Sequence, residues 1–194
     1  LGNHPQVRQR NREVQALAAE VLGQDAARID IALDEIHLTV AADSISLDEQ
    51  LTMDQLGPEI AEEVKGVGPF TIQWIGPRLM PDMTVVMEYT TSAPEFLELR
   101  QRAGRRIELR KNDGAFKGNK MFVPNIMHST VAVIRDPSVS QEKLQTLLDR
   151  LAQYRTEKET IDVPITEIAA GSFQRDQAYC YLGCFSANGR PCHA

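Results

Sequence analysis

The chain has little cysteine: three in 194 residues, Cys180, Cys184 and Cys192, all near the carboxyl end. They are too few and too clustered for a disulfide framework, so a reducing compartment, the cytoplasm, is expected. With His193 they give C-x3-C-x7-C-H, which lacks the paired C-x2-C knuckles of structural zinc sites. Buried thiols on the strand "AYCYLGCF" are the simpler reading, and no metal or other cofactor is expected. Long apolar runs are missing too. Nothing approaches the roughly 20 residues that cross a bilayer, and the opening "LGNHPQVRQRNREV" has no apolar signal core. A membrane partner is therefore not expected. Aromatic residues make up only 6%, with one tryptophan, so Phe70 and Trp74 on one strand are read as core packing rather than as a base-stacking platform. Phosphate-loop and dinucleotide fingerprints are absent, since "GVGPF" at 66–70 opens no Gly-rich helix, and no G-x-S-x-G supplies a serine nucleophile.

The chain does hold 42% hydrophobic residues, enough for a sizeable core, and a formal charge of −6. That charge argues against duplex DNA as a partner, because duplex binding depends on neutralising many phosphates. Between Arg100 and Lys120, however, eight basic residues face two acidic ones, a local +6 that leaves −12 on the remainder. Within that run Arg105, Arg106, Arg110, Lys117 and Lys120 are open candidates to steer a phosphorylated ligand, against the plainer reading of a solvated helix end and loop.

Apolar spacing at Val14, Leu17, Val21 and Leu22 predicts a first helix, with Asn11 as its cap. Strands are predicted within 29–42, at "FTIQWIG" (70–76) and at "TVVMEY" (84–89), and a helix is predicted within 52–65. Ser92 with Glu95 reads as a capping box for the next helix, and "KNDG" at 111–114 as a turn. Ser138 with Gln141 reads as a second capping box, opening a helix whose apolar face is Leu144, Leu147, Leu148 and Leu151. "IDVPITEIAA" and "AYCYLGCF" complete the strands.

Two short stretches repeat across this layout: "EIHLTVAAD" at 35–43 and "IMHSTVAVIRD" at 126–136. A single His-x-Thr means little, since about one histidine in eight has Ser or Thr two places on at average composition. Two among four histidines, each opening a βαββ-like order, are harder to dismiss. From His37 to Ile72 is 35 residues and from His128 to Ile165 is 37, which suggests a diverged internal duplication. On a strand His37 and Thr39 project to one side, as do His128 and Thr130, with Met127, Ser129, Val131 and Val133 opposite. Paired imidazoles and hydroxyls suit phosphodiester chemistry: one histidine takes a proton, the other gives one, and the hydroxyls donate to the phosphoryl oxygens.

The motifs His37-Leu38-Thr39-Val40 and His128-Ser129-Thr130-Val131 resemble those of the 2H phosphoesterase superfamily, which is named for two H-x-[ST]-hydrophobic motifs. The resemblance in order of elements covers about 29–186. It implies an α+β, bilobal LigT-like fold: two pseudo-symmetric antiparallel sheets around a central cleft, helices outside, and no catalytic metal. A single bilobal domain over 1–194 is then expected, with lobes at about 29–105 and 121–186. The resemblance makes His37 and His128 the catalytic pair and Thr39 and Thr130 the phosphate ligands. It leaves open which histidine is the base. The implied reaction is cleavage of a 2′,3′-cyclic phosphate or 2′-5′ phosphodiester in a ribonucleotide or short RNA. The alternative is a nucleotide-binding sensor of the same fold without turnover.

Overall fold

A computed structural model describes residues 4–23, 27–28, 38, 62–112, 126–173 and 179–186. Its elements are α1 (Pro5–Leu22), β1 (Ala27–Arg28), β2 (Phe70–Leu79), β3 (Thr84–Thr90), α2 (Pro94–Asn112), β4 (His128–Ile134), α3 (Gln141–Glu157), β5 (Ile161–Ile165), β6 (Glu167–Phe173) and β7 (Tyr179–Ser186). The fold is α+β. One five-stranded sheet has the order β1-β4-β3-β2-β5, and β6 pairs with β7 in a second. The pairs β1–β4, β4–β3, β3–β2 and β6–β7 are antiparallel.

Contacts divide the chain into two compact units: Leu1–Leu38, Ile72–Thr90 and Ile126–Val163 in one, and Thr39–Thr71, Thr91–Asn125 and Pro164–Ala194 in the other. This interleaved division differs from the consecutive stretches 29–105 and 121–186 expected of two lobes. The reason is strand pairing: β4, from the later stretch, adds to β3 from the earlier one. The chain thus passes back and forth between the units.

In the first unit α1 starts earlier than its apolar spacing suggested. Pro5, with φ preset and no N–H to lose, stands in the first turn, and Arg8 N–H donates to His4 O at 2.9 Å. Asn11 is therefore no cap. It lies wholly buried in the helix on the stripe of Val7, Val14, Ala18 and Leu22, and its amide has no partner among the described residues. Gly23 ends the helix at φ 89°, its N–H donating to Ala19 O. Hydrogen bonds tie α1 to its neighbours: Gln15 Nε2 donates to Val131 O at 3.0 Å, Lys143 Nζ to Leu22 O at 3.2 Å, and Tyr154 Oη to Glu13. Trp74 is fully buried with Tyr154 edge-on at 6.4 Å and the Arg10 guanidinium over its ring. That confirms it as a core residue.

Helix α3 is capped by Ser140, whose hydroxyl accepts from Lys143 N–H, while Ser138 closes a turn on Asp136. The capping box at Ser138 and Gln141 is thus displaced, because Asp136 captures Ser138 first. Leu147, Leu151 and Tyr154 form its buried face, whereas Leu148 is 41% exposed. The stripe is narrower than its leucines implied.

In the second unit Val64, Val67, Phe70, Phe96 and Leu99 are buried, with the Phe70 and Phe96 rings 5.6 Å apart. Of the helix expected within 52–65, residues 62–65 are described: 62–64 are helical and Lys65 is in a turn. Arg102 donates to the carbonyls of Glu63 and Lys65 at that helical turn's end, where a cation is favoured, and pairs with Glu98. At the start of α2 the hydroxyl is Thr91's, accepting from Ala93 N–H and donating to Thr71 O; the Ser92 and Glu95 capping box does not form. Helix α2 continues through Asn112, so Lys111 and Asn112 of the turn expected at 111–114 are helical, as are Arg105, Arg106 and Arg110, while Asp113 and Gly114 lie outside the described residues. Lys117 and Lys120 lie outside the described residues. The strand expected at 161–170 breaks after Ile165 into β5 and β6. Cys180 stands opposite Ser172 and Cys184 opposite Ala169, while Cys192 and His193 lie outside the described residues.

Candidate functional site

Strand β4 opens at His128 and is central in its sheet, between β1 and β3. The segment leading in is fixed by its backbone: Tyr89 N–H donates to Met127 O at 2.9 Å. His128 Nδ1 lies 2.9 Å from Ile126 O. A carbonyl only accepts, so Nδ1 carries the hydrogen and the neutral ring presents its lone pair at Nε2. Nε2 has no partner among the described residues. Two residues on, Thr130 is half-buried and its hydroxyl likewise has no described partner.

Cross-strand register defines what shares their face. Glu88 is the partner of His128, and Gly76 that of Glu88; Val86 is the partner of Thr130, and Arg78 that of Val86. Directly opposed residues in an antiparallel pair point the same way, so two adjacent rows, Gly76-Glu88-His128 and Arg78-Val86-Thr130, lie on one face. Ser129 points to the other. It is buried, and its hydroxyl meets Tyr89 Oη at 3.2 Å. Burial, eased by that hydrogen bond, pushes the Tyr89 phenol up to about 12.

The alternation predicted for the back of β4 holds for Ser129 and Val131 and then fails. Ala132 and Ile134 are buried beyond Val131, and Val133 is only half-buried. The cause is a register shift between Val85 and Val86, where Ala132 and Thr130 oppose consecutive residues and Val131 is the extra one. Such a bulge reverses the facing of the residues beyond it.

Glu88 is the charged group nearest His128 in register, and its side chain is only 7% exposed. Arg78 Nη1 donates to one carboxylate oxygen at 2.9 Å and Arg155 Nη1 to the other at 2.8 Å. Burial works to raise its pKa; the two guanidinium hydrogen bonds and their charges outweigh this and hold the carboxyl below the usual carboxylate range. Arg155 reaches Glu88 over Gly76, where a Cβ would stand 2.5 Å from Arg155 Cγ, and φ is 138°. Only glycine leaves that path open.

His37 and Thr39 lie outside the described residues. Of the four residues marked by the twin motif, the structure thus places His128 and Thr130, side by side on one strand face. Motif reasoning missed Glu88, Arg78 and Arg155. The signal was present: a lone carboxylate inside the apolar strand "TVVMEY" needs a cationic partner if buried. Among the described residues no cluster of three or more His, Cys, Asp or Glu is placed to hold a metal ion. No described helix is long and apolar enough to cross a membrane. No family model matches the chain, and no curated protein matches it closely enough in sequence to be counted a relative.

Proposed function

We propose that the chain is a 2H-type phosphoesterase that cleaves a 2′,3′-cyclic phosphate or 2′-5′ phosphodiester in a ribonucleotide or short RNA. In this reading the chain has a bilobal LigT-like fold and acts in the cytoplasm. His128 and Thr130 supply one half of the site, His37 and Thr39 the other. One imidazole removes the proton from the attacking oxygen, water or the neighbouring ribose hydroxyl, as that oxygen bonds to phosphorus. The other imidazolium protonates the departing ribose oxygen as its bond to phosphorus breaks. Thr39 and Thr130 donate hydrogen bonds to the non-bridging oxygens as charge gathers there. The protons balance without a metal ion.

The observation that carries this reading is the pairing at β4. His128 has Nδ1 held on a backbone carbonyl, which leaves Nε2 for proton transfer, and a threonine hydroxyl is presented on the same face. A binding module needs no imidazole held in one tautomer with a nitrogen left for proton transfer. The test is turnover of 2′,3′-cyclic nucleotides and 2′-5′-linked oligoadenylates in excess EDTA. Wild type should turn over at least one class, and His37→Ala and His128→Ala should each lose about 10²-fold or more. Ligand binding without turnover would instead make the chain a nucleotide sensor.

A further inference from the structure

One carboxylate cannot neutralise two guanidinium groups. Arg78 and Arg155 share Glu88, each through a single Nη1, so the trio keeps a net positive charge. Glu88 is buried, but the side chains of Arg78 and Arg155 are 52% and 40% exposed. Their remaining N–H groups have no partner among the described residues. Joining β2, β3 and α3 takes only one Nη1 from each arginine, which leaves the other donors of two half-exposed guanidinium groups over.

Their place in the sheet gives these donors a use. Arg78 stands in the Thr130 row two strands away, with the buried Val86 between them, and Glu88 stands beside His128. Neighbouring strands lie about 4.8 Å apart, so the Arg78 backbone is roughly 10 Å from that of Thr130. That is the scale on which a nucleotide carries a second phosphate beyond the one being cleaved. A guanidinium whose orientation is already fixed by a buried carboxylate gives up little freedom on binding a planar array of phosphate oxygens.

We propose that Arg78 and Arg155, oriented by Glu88, form a seat for a second phosphate of the substrate, one not cleaved. This rests on the phosphoesterase reading and narrows its substrate to ribonucleotides bearing an additional phosphate, such as a 5′-phosphate or the next internucleotide linkage. Glu88 is a positioning residue here, since its oxygens face the arginines. Gly76 belongs to the same device, as its missing side chain gives Arg155 its route.

The experiment compares kcat/KM for a nucleoside 2′,3′-cyclic phosphate with and without a 5′-phosphate, in wild type, Arg78→Gln, Arg155→Gln and the control Arg150→Gln. Arg150 lies on α3 and pairs with Glu20. The expected result is a wild-type preference of about 10-fold or more for the 5′-phosphorylated substrate, expressed mainly in KM, since ground-state and transition-state binding gain alike. Arg78→Gln and Arg155→Gln should bring that ratio toward 1, and Arg150→Gln should keep it. Equal wild-type rates on the two substrates, a measurement that needs no variant, would overturn the seat and leave the phosphoesterase reading standing. A wild-type preference that survives both substitutions would also overturn it. Turnover of neither substrate would overturn the seat together with the reading on which it rests.

Discussion

Replacing Glu88 by glutamine tests the most unusual interaction in the first unit. The substitution keeps shape and removes charge. Glu88 accepts two charge-assisted hydrogen bonds, of 2.9 and 2.8 Å, in a site where its own side chain is 7% exposed. Hydrogen bonds to charged groups contribute about 1.5–3 kcal/mol each when well shielded. Both guanidinium groups here are half-exposed and rehydrate when released, which reduces each to about 1 kcal/mol. The expected cost is therefore about 2 kcal/mol, below the ~3–5 kcal/mol of breaking a fully buried pair. For a chain of this size that is a fall in Tm of about 4–8 °C.

Acid provides an internal control on that assignment. The Glu88 carboxyl is held below its ordinary value in the folded protein, so its contribution is complete above the unfolded pKa of 4.5. It is lost as pH falls through the folded value. Urea unfolding of wild type and Glu88→Gln should show the full gap near neutral pH and a narrowing gap below about pH 5. A gap under about 0.5 kcal/mol at neutral pH, or one that does not change on acidification, would refute the reasoning.

Other expectations concern neighbouring residues. Gly76→Ala should destabilise by about 1–3 kcal/mol in thermal unfolding, since φ of 138° and the Arg155 side chain both oppose a Cβ. Ser129→Ala should cost about 1–2 kcal/mol by leaving the buried Tyr89 hydroxyl unpaired. The Tyr89 phenol, raised to about 12 in the folded protein, gives stability that is whole below pH 10 and lost as pH rises toward the folded value. Tyr89→Phe should remove that part of the alkaline loss, read by denaturation between about pH 9 and 12. Thr130→Val, nearly equal in volume, should lower kcat on the proposed substrates about 10-fold or more with Tm little changed, which separates phosphate binding from packing.

Much of the first unit is legible because burial there obeys simple periods. "FTIQWIG" and "TVVMEY" alternate or run apolar and become β2 and β3, and the leucines of α3 announce its inner face. Sequence and structure part where one polar side chain has two possible partners. Ser138 has the spacing of a cap, but Asp136 two residues earlier competes for it, and Ser140 does the capping instead. Asn11 suggests a helix start because asparagine favours caps; Pro5 sets the start, and Asn11 is buried two turns in. The bulge at Val131 is invisible for a different reason. Bulges arise from how two strands mate, and the register of Val85 and Val86 against Thr130 and Ala132 is not written in either strand alone. The same holds for the candidate site. His128 and Thr130 are legible as a local motif, whereas Arg78 and Glu88 lie on two consecutive strands and Arg155 on a helix 67 residues beyond Glu88, and they meet only through register and the bare backbone of Gly76.

The most direct test of the central claim is a double-mutant cycle on the two motif histidines. Wild type, His37→Ala, His128→Ala and the double variant would be assayed for kcat/KM on a 2′,3′-cyclic nucleotide in EDTA, each with its Tm measured. Two imidazoles that act on the attacking and the leaving oxygen of one displacement work as a unit, so each single loss should be about 10²-fold or more and the double variant little worse than the poorer single. Folded single variants that keep wild-type turnover would contradict the account, leaving the two His-x-Thr stretches as parts of the scaffold.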